Sequence, residues 1–346
     1  MSGGDATDIP NDDAAARRET HRAALALLVA TVLWGCGFTW AKAAGDAVHR
    51  AVGLPTGSAF GPIFVLGWRF TLAAVAVLAL SRQARAGWTW PGVRRIFSVG
   101  LLLAGAIVVQ HLGLDRTSEA VSAFLTSLTI IFVPLILTLV LRKPPAPVMW
   151  LGVTLATAGV WLMMAAPSGF GVGEALGLAC ALAFGLYILA VNAVARTEDP
   201  WRMTAGQFLV VGVTCFGTCA LLDGGHAVGP AEAWNVMRSG RDVWLNVGLL
   251  AVFPTVGAFT LLNLYQPKLD PTRAALIYLV EPVVATAYAW AMVGRTLDRY
   301  TILGAGLILV ANVVVEVLSS GPRDPDAPPA ESVAATESTA PASSPR

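Results

Sequence analysis

The chain has 346 residues, of which 55% are hydrophobic and only 13% charged, with a formal net charge of +1. A water-soluble domain carries about 25% charged residues, so this composition excludes an ordinary soluble enzyme. The near-neutral balance also argues against a nucleic-acid partner, which calls for a concentrated basic surface.

Residues 1–21 are polar and lack the apolar stretch and cleavage pattern of a removable signal peptide, so they read as a cytoplasmic tail. A bilayer core about 30 Å thick needs roughly 20 apolar residues per helix. Ten windows meet that need: 22–41, 61–81, 96–114, 120–141, 147–166, 173–194, 203–222, 243–264, 272–293 and 300–319. The longest gaps, 42–60 and 223–242, read as loops. Arg142, Lys143, Pro144, Pro145 and Pro147 break the chain between the fourth and fifth windows. From Ser320 to Arg346 the composition is rich in Pro, Ala, Ser and Glu, and the segment is expected to be a disordered cytoplasmic tail.

Basic residues set the expected orientation. With the N-terminus inside, fifteen of the 23 Lys and Arg residues fall on the cytoplasmic side and seven outside, with Arg69 within a span. Both termini are therefore expected in the cytoplasm. The chain also repeats itself weakly. A shift of 152 lays Leu151, Gly152 and Leu155 over Leu303, Gly304 and Leu307, and a shift of 150 lays Trp34-Gly35 over Phe184-Gly185 and Lys42 over Asn192. Five spans, a gap at Pro167–Val172 and five more imply two repeats, 22–166 and 173–319. Because five is odd, the second enters the membrane from the opposite side. The expected fold is thus an all-α integral membrane protein of ten transmembrane helices in two inverted five-helix repeats. Such repeats are a mark of secondary transporters, with the substrate site between the halves.

Charges inside a span cost roughly 2.5–3.5 kcal/mol each on insertion scales, which makes them functional candidates. Arg69 and Glu281 both lie near mid-span. A carboxyl group removed from water can hold and release a proton near neutral pH, so Glu281 is a candidate for proton coupling or for binding a substrate amine. Its structural alternative is a pair with Arg69 or a hydrogen bond between helices. Arg69 can bind a carboxylate through its planar fork or serve as a structural clamp. Gln110 and His111 lie toward the outer end of the third span. Trp34, Tyr187 and Tyr278 are candidate cavity walls, joined by Asn192 through the repeat. Gly35 and Gly37 allow close helix approach, and Pro134, Pro254 and Pro282 mark helices expected to bend.

Cys36, Cys180, Cys215 and Cys219 all lie in apolar runs. Cys215, Cys219 and Asp223 stand on successive helical turns, but two thiols and one carboxylate make a poor metal site. Neither metal nor cofactor is expected. No G-x-S-x-G elbow or H-E-x-x-H pair is present to support an intramembrane enzyme.

Several segments resemble the EamA-type branch of the drug/metabolite transporter superfamily. Trp34-Gly35-Cys36-Gly37-Phe38-Thr39-Trp40-Ala41-Lys42 is similar to its W-G-x-x-F-x-x-x-K opening, and Trp68-Arg69-Phe70 to its R-F element. Pro134 and Glu281-Pro282 resemble its proline-bearing helices. Leu151–Leu162 and Leu303–Val315 resemble its L-G-x-x-L-x-x-x-G ending, with Ala311 in place of the last glycine. Where the family usually has glutamate before each closing helix, this chain has Lys143 and Arg295. The resemblance implies an exporter of amino acids or related metabolites in the plasma (inner) membrane, driven by protons, another ion or exchange. A drug or nucleobase carrier of the same fold, or an importer, remains open. The implied partners are a small-molecule substrate and the lipid bilayer, with room for a homodimer.

Overall fold

The structure, a computed structural model, describes residues 9–55, 57–163, 171–222, 236, 238, 240–294 and 299–319. It holds helices α1 (Ile9–Val52), α2 (Phe60–Leu80), α3 (Arg82–Arg85), α4 (Trp90–Arg116), α5 (Glu119–Ser127), α6 (Thr129–Leu139), α7 (Pro147–Met163), α8 (Val172–Val194) and α9 (Pro200–Leu222). There follow α10 (Arg241–Leu250), which runs through a π-helical stretch (Ala251–Gly257) into α11 (Ala258–Tyr265), then α12 (Pro271–Tyr278), α13 (Val280–Val293) and α14 (Arg299–Ser319). Among the described residues there is no strand.

Eight of the ten apolar windows fall on helical stretches long and apolar enough to cross a membrane. The windows 147–166 and 300–319 fall on α7 and α14, whose apolar stretches are shorter, Pro147–Gly159 and Ile302–Val315. Residues 164–166, most of the 167–172 gap, Asp223, Arg295 and the tail 320–346 lie outside the described residues. The surface is what a lipid solvent selects. Val213 is 71% and Trp161 78% exposed, positions water would penalise on a soluble protein.

The expected loop at 42–60 is mostly helix. Residues 41–52 are rich in alanine, and the helix runs on through Gly45 to Gly53, whose φ of 72° ends α1 in the left-handed region. The polar groups that suggested a loop find partners across the bundle instead: Lys42 Nζ donates to Leu114 O (3.1 Å) and Thr117 O (2.7 Å) at the end of α4.

Two spans are interrupted at equivalent places. The fourth breaks at Leu128, between α5 and α6, and the ninth at Leu279, between α12 and α13, 151 residues later. Each break residue donates its N–H three residues back, Leu128 to Leu125 O and Leu279 to Leu276 O, both at 3.1 Å. Each first segment also starts on a side-chain cap, Ser118 on α5 and Asp270 on α12. The prolines do not share this equivalence. Pro134 lies six residues after its break, within α6, whereas Pro282 lies three after, in the first turn of α13, where a missing N–H costs no helical bond. Pro254 sits in the π-helical stretch.

Packing follows the same pseudo-two-fold relation. The first helix, α1, packs on α10–α11 and α13, while its counterpart α8 packs on α4 and α5–α6; α2 pairs with α9, and α7 with α14. Small residues permit these approaches. A Cβ at Gly35 would lie 2.7 Å from Val284 Cβ, and one at Gly159 would lie 2.7 Å from Gly304 O.

Candidate functional site

Midway through the bundle, side chains from α1, α2, α4, α5–α6, α8, the π-helical stretch with α11, and α12–α13 enclose a cavity of about 70 Å³, taken as the space open to the centre of a water molecule. Trp34, Arg69, Gln110, His111, Tyr187, Tyr278 and Glu281 all line it. Seven of the eight candidate residues from six different helices thus meet at one place.

Arg69 is buried on α2, and its guanidinium is aimed by three neighbours. Nε donates to Thr255 Oγ1 (2.5 Å), and Nη1 approaches His111 Nε2 at 3.4 Å. The ring of Phe70 lies 5.1 Å from its Cζ. His111 Nδ1 meets Ile107 O at 3.0 Å, so Nδ1 carries the proton and Nε2 is the lone pair turned to Arg69. Thr255 is presented by the π-helical stretch and passes its own hydrogen to Leu250 O (2.6 Å). The widened turn there also frees Pro254 O to accept from Trp34 Nε1 (2.9 Å). Among the described residues no protein group meets Arg69 Nη2, leaving donors for an anion in the cavity.

Glu281 stands in the first turn of α13, just past the Leu279 break, with 8% of its surface exposed. Among the described residues no hydrogen bond or ion pair reaches its carboxylate, so it and Arg69 share the cavity without pairing. The repeat relation that overlays Leu128 on Leu279 places Ile130 opposite Glu281, so the charge belongs to the second half alone.

The walls are aromatic. Trp34 meets Phe259 and Tyr278 edge-on at centroid distances of 5.1 and 5.5 Å. Phe259 also contacts Phe70, Tyr187 and Phe208 at 5.9, 6.4 and 5.9 Å, which makes it the hub of the cluster. Sequence reading missed Phe259, since one phenylalanine among many apolar residues of a span carries no distinguishing signal. Phe184, which the shift of 150 lays on Trp34, also lines the cavity, though sequence reading had not named it as a wall.

Buried amides back the two tyrosines. Tyr187 donates to Gln207 Oε1 (2.7 Å), and Gln207 Nε2 lies 3.4 Å from Asn263 Oδ1. Tyr278 donates to Gln266 Oε1 (2.8 Å), while Gln266 Nε2 donates to Asn192 Oδ1 (2.9 Å). Asn192, the eighth candidate, therefore does not line the cavity. It stands one layer behind Tyr278. Its place still obeys the repeat, because it holds the end of α11 as Lys42 holds the end of α4. Gln110 Nε2 donates to Thr126 Oγ1 (3.1 Å), next to the break in the fourth span. Cys215 and Cys219 are buried free thiols.

The chain matches the profile of the EamA-like transporter family twice, over residues 21–165 and 171–316. It belongs to the EamA-like transporter family. An uncharacterized transporter of Archaeoglobus fulgidus is 26% identical over 293 residues, covering 85% of each chain. The uncharacterized transporter YwfM of Bacillus subtilis is 26% identical over 308 residues, covering 86% of this chain and 94% of its own. A crystal structure of a protein 20% identical in sequence superposes with a TM-score of 0.63 over 86% of this chain and 97% of the other, which supports the fold. This EamA chain is accordingly a multi-pass membrane transporter within the drug/metabolite transporter superfamily, acting on a small-molecule substrate in a lipid bilayer.

Proposed function

We propose that this transporter is a ten-span carrier in the plasma (inner) membrane, built from two inverted repeats, 22–166 and 173–319, between cytoplasmic tails 1–21 and 320–346, that exports an amino acid or similar zwitterionic metabolite by alternating access with proton coupling. The observation that carries the reading is a cavity that holds both a carboxylate unpaired among the described residues, Glu281, and a guanidinium with free donors, Arg69. A zwitterion presents the complementary pair. Its carboxylate meets the planar fork of Arg69, and its ammonium meets Glu281. Aromatic walls exclude water and strengthen both contacts. When no substrate is bound, a proton on Glu281 neutralises its carboxylate, and loss of that proton readmits a cation. Exchange of proton for ammonium at one carboxylate is a coupling rule that needs no second site.

The test is counterflow of labelled amino acids in liposomes holding the purified protein. Wild type is expected to accumulate one amino-acid class. Glu281→Gln, which keeps shape and hydrogen bonding, is expected to lose the pH dependence of net transport. Wild-type rates with wild-type pH dependence in Glu281→Gln would remove the glutamate from coupling. Silence of folded wild type across the panel would direct the search to other metabolites and to the amphipathic compounds that an aromatic cavity also suits.

A further inference from the structure

We propose a divalent transition-metal site made by Asp46, His49 and Asp115, clamping the end of α1 to the end of α4 on the side of the bundle where those helices terminate. One ligand atom from each of the three residues lies within 4.8 Å of the others. His49 is 2% exposed, and its ring is held at one nitrogen. Nε2 meets Ser58 O at 3.1 Å and so carries the hydrogen, which leaves Nδ1 as the lone pair. Nδ1 is buried, has no hydrogen-bond partner, and points at Asp115 Oδ1, 3.9 Å away. A ring nitrogen freed toward a carboxylate while its twin donates to a backbone carbonyl is the arrangement that orients a metal-ligating histidine.

The carboxylates show the same want of a partner. Asp115 Oδ2 is buried without a hydrogen bond, and the residue stands in the last turn of α4, where the helix carbonyls already concentrate negative charge. The nearby cations do not relieve it. Lys42 donates to Leu114 O and Thr117 O, and Arg116 to Leu112 O and Gly57 O. Among the described residues no lysine or arginine forms an ion pair with Asp46 or Asp115. Two carboxylates and one neutral imidazole make a site of net charge −2, matched by a divalent cation.

The spacing favours a small, borderline-soft ion. Bonds of roughly 2.0–2.1 Å put tetrahedral donors about 3.4 Å apart, so the 3.9 Å separation closes with a shift of about half an ångström. The half-buried Asp46 offers a route in, and water completes the shell. Mg²⁺ and Ca²⁺ prefer all-oxygen shells, which the His49 nitrogen does not supply. Gly61 is part of the build, because a side chain there would collide with His49 Nε2. The repeat does not impose this set. At the shift of 150 the counterpart positions hold Arg196, Asp199 and Tyr265, which make no such site.

Leu114, which precedes Asp115, lines the cavity, as does Ala41, five residues before Asp46. A bound ion therefore fixes two of the cavity's walls to each other. Asp46 and His49 share one helical turn, but Asp115 joins them only in the fold, which is why sequence reading expected no metal.

Tag-free full-length protein in detergent is titrated with Zn²⁺ by calorimetry, and with Co²⁺ by its visible absorption. One saturating equivalent is expected in wild type, at least tenfold weaker in Asp46→Asn, Asp115→Asn and His49→Gln, with Mg²⁺ and Ca²⁺ failing to compete. The metal-free melting temperature of each variant reports folding, and Asp46→Asn leaves the buried packing untouched. No saturable binding in wild type, or equal binding in Asp46→Asn and Asp115→Asn, overturns the site and leaves a simple histidine–aspartate contact.

Discussion

Arg69 carries five donors, and the bundle engages only Nε, at Thr255, and one hydrogen of Nη1, toward His111. Holding Nε from the π-helical stretch keeps the fork aimed into the cavity while its outer edge stays free. Lysine at this position keeps the charge but lacks the second arm, so it cannot hold Thr255 and a carboxylate together. Arg69→Lys is therefore expected to fold and to raise the counterflow KM about 10- to 100-fold, the equivalent of losing one hydrogen bond to a charged group, about 1.5–3 kcal/mol. An unchanged KM in folded Arg69→Lys would assign the arginine to structure alone.

At the scale of elements, the repeat pairs glycines with the helices after the breaks. Gly35 of α1 faces Val284 of α13, and its counterpart Gly185 of α8 faces Phe132 of α6. The first contact is the tighter, since a Cβ at Gly35 would also lie 3.0 Å from Glu281 O. Neither Val284 Cβ nor a backbone oxygen can swing away, so α13 must move. Gly35→Ala is expected to lower stability by about 1–3 kcal/mol, seen as a lower melting temperature in detergent, and to impair transport because Glu281 moves with α13. Gly185→Ala, with Phe132 Cβ at 3.3 Å, is expected to cost less. Equal melting temperatures for the two variants would reject the close approach.

What the sequence made legible follows from this geometry. Spans are legible because lipid demands long apolar runs, and Arg69 and Glu281 because a charge inside such a run is costly enough to stand out. The breaks at Leu128 and Leu279 were not, because leucine forms helix readily and carries no signal of an interruption. Residues 42–52 misled because their polar groups suggest solvent, whereas Lys42 and His49 find partners on other elements. Phe259 and the Asp46–His49–Asp115 cluster depend on register between helices, which one sequence leaves unstated.

Across the whole molecule, polar links between distant segments gather at the end of the bundle that carries the turns at 81–90, 195–200 and 266–270. Arg95 of α4 donates through Nε to Glu198 Oε1 at 2.9 Å, and its Nη2 meets the same oxygen. Arg202 donates to Ala86 O and Gly87 O, and Lys268 Nζ meets Glu19 Oε1 at 2.9 Å. Each link joins one half of the chain to the other, so each must break if the halves rock apart at this end. Arg95–Glu198 is the best placed to matter, with the carboxylate buried and the guanidinium partly exposed. A pair so open to water contributes about 1 kcal/mol, close to a fivefold bias between two conformations. Glu198→Gln is expected to release that bias. A single cysteine introduced at the cavity residue Ala275, in a background with the four native cysteines replaced, should then react with a water-soluble maleimide about fivefold faster. The Tyr187–Gln207 and Tyr278–Gln266 links both lie within the second half, so they move with it and do not oppose such an opening. If labelling rates in Glu198→Gln match those of its parent, the ion pair only tethers two turns and does not bias which side the cavity faces.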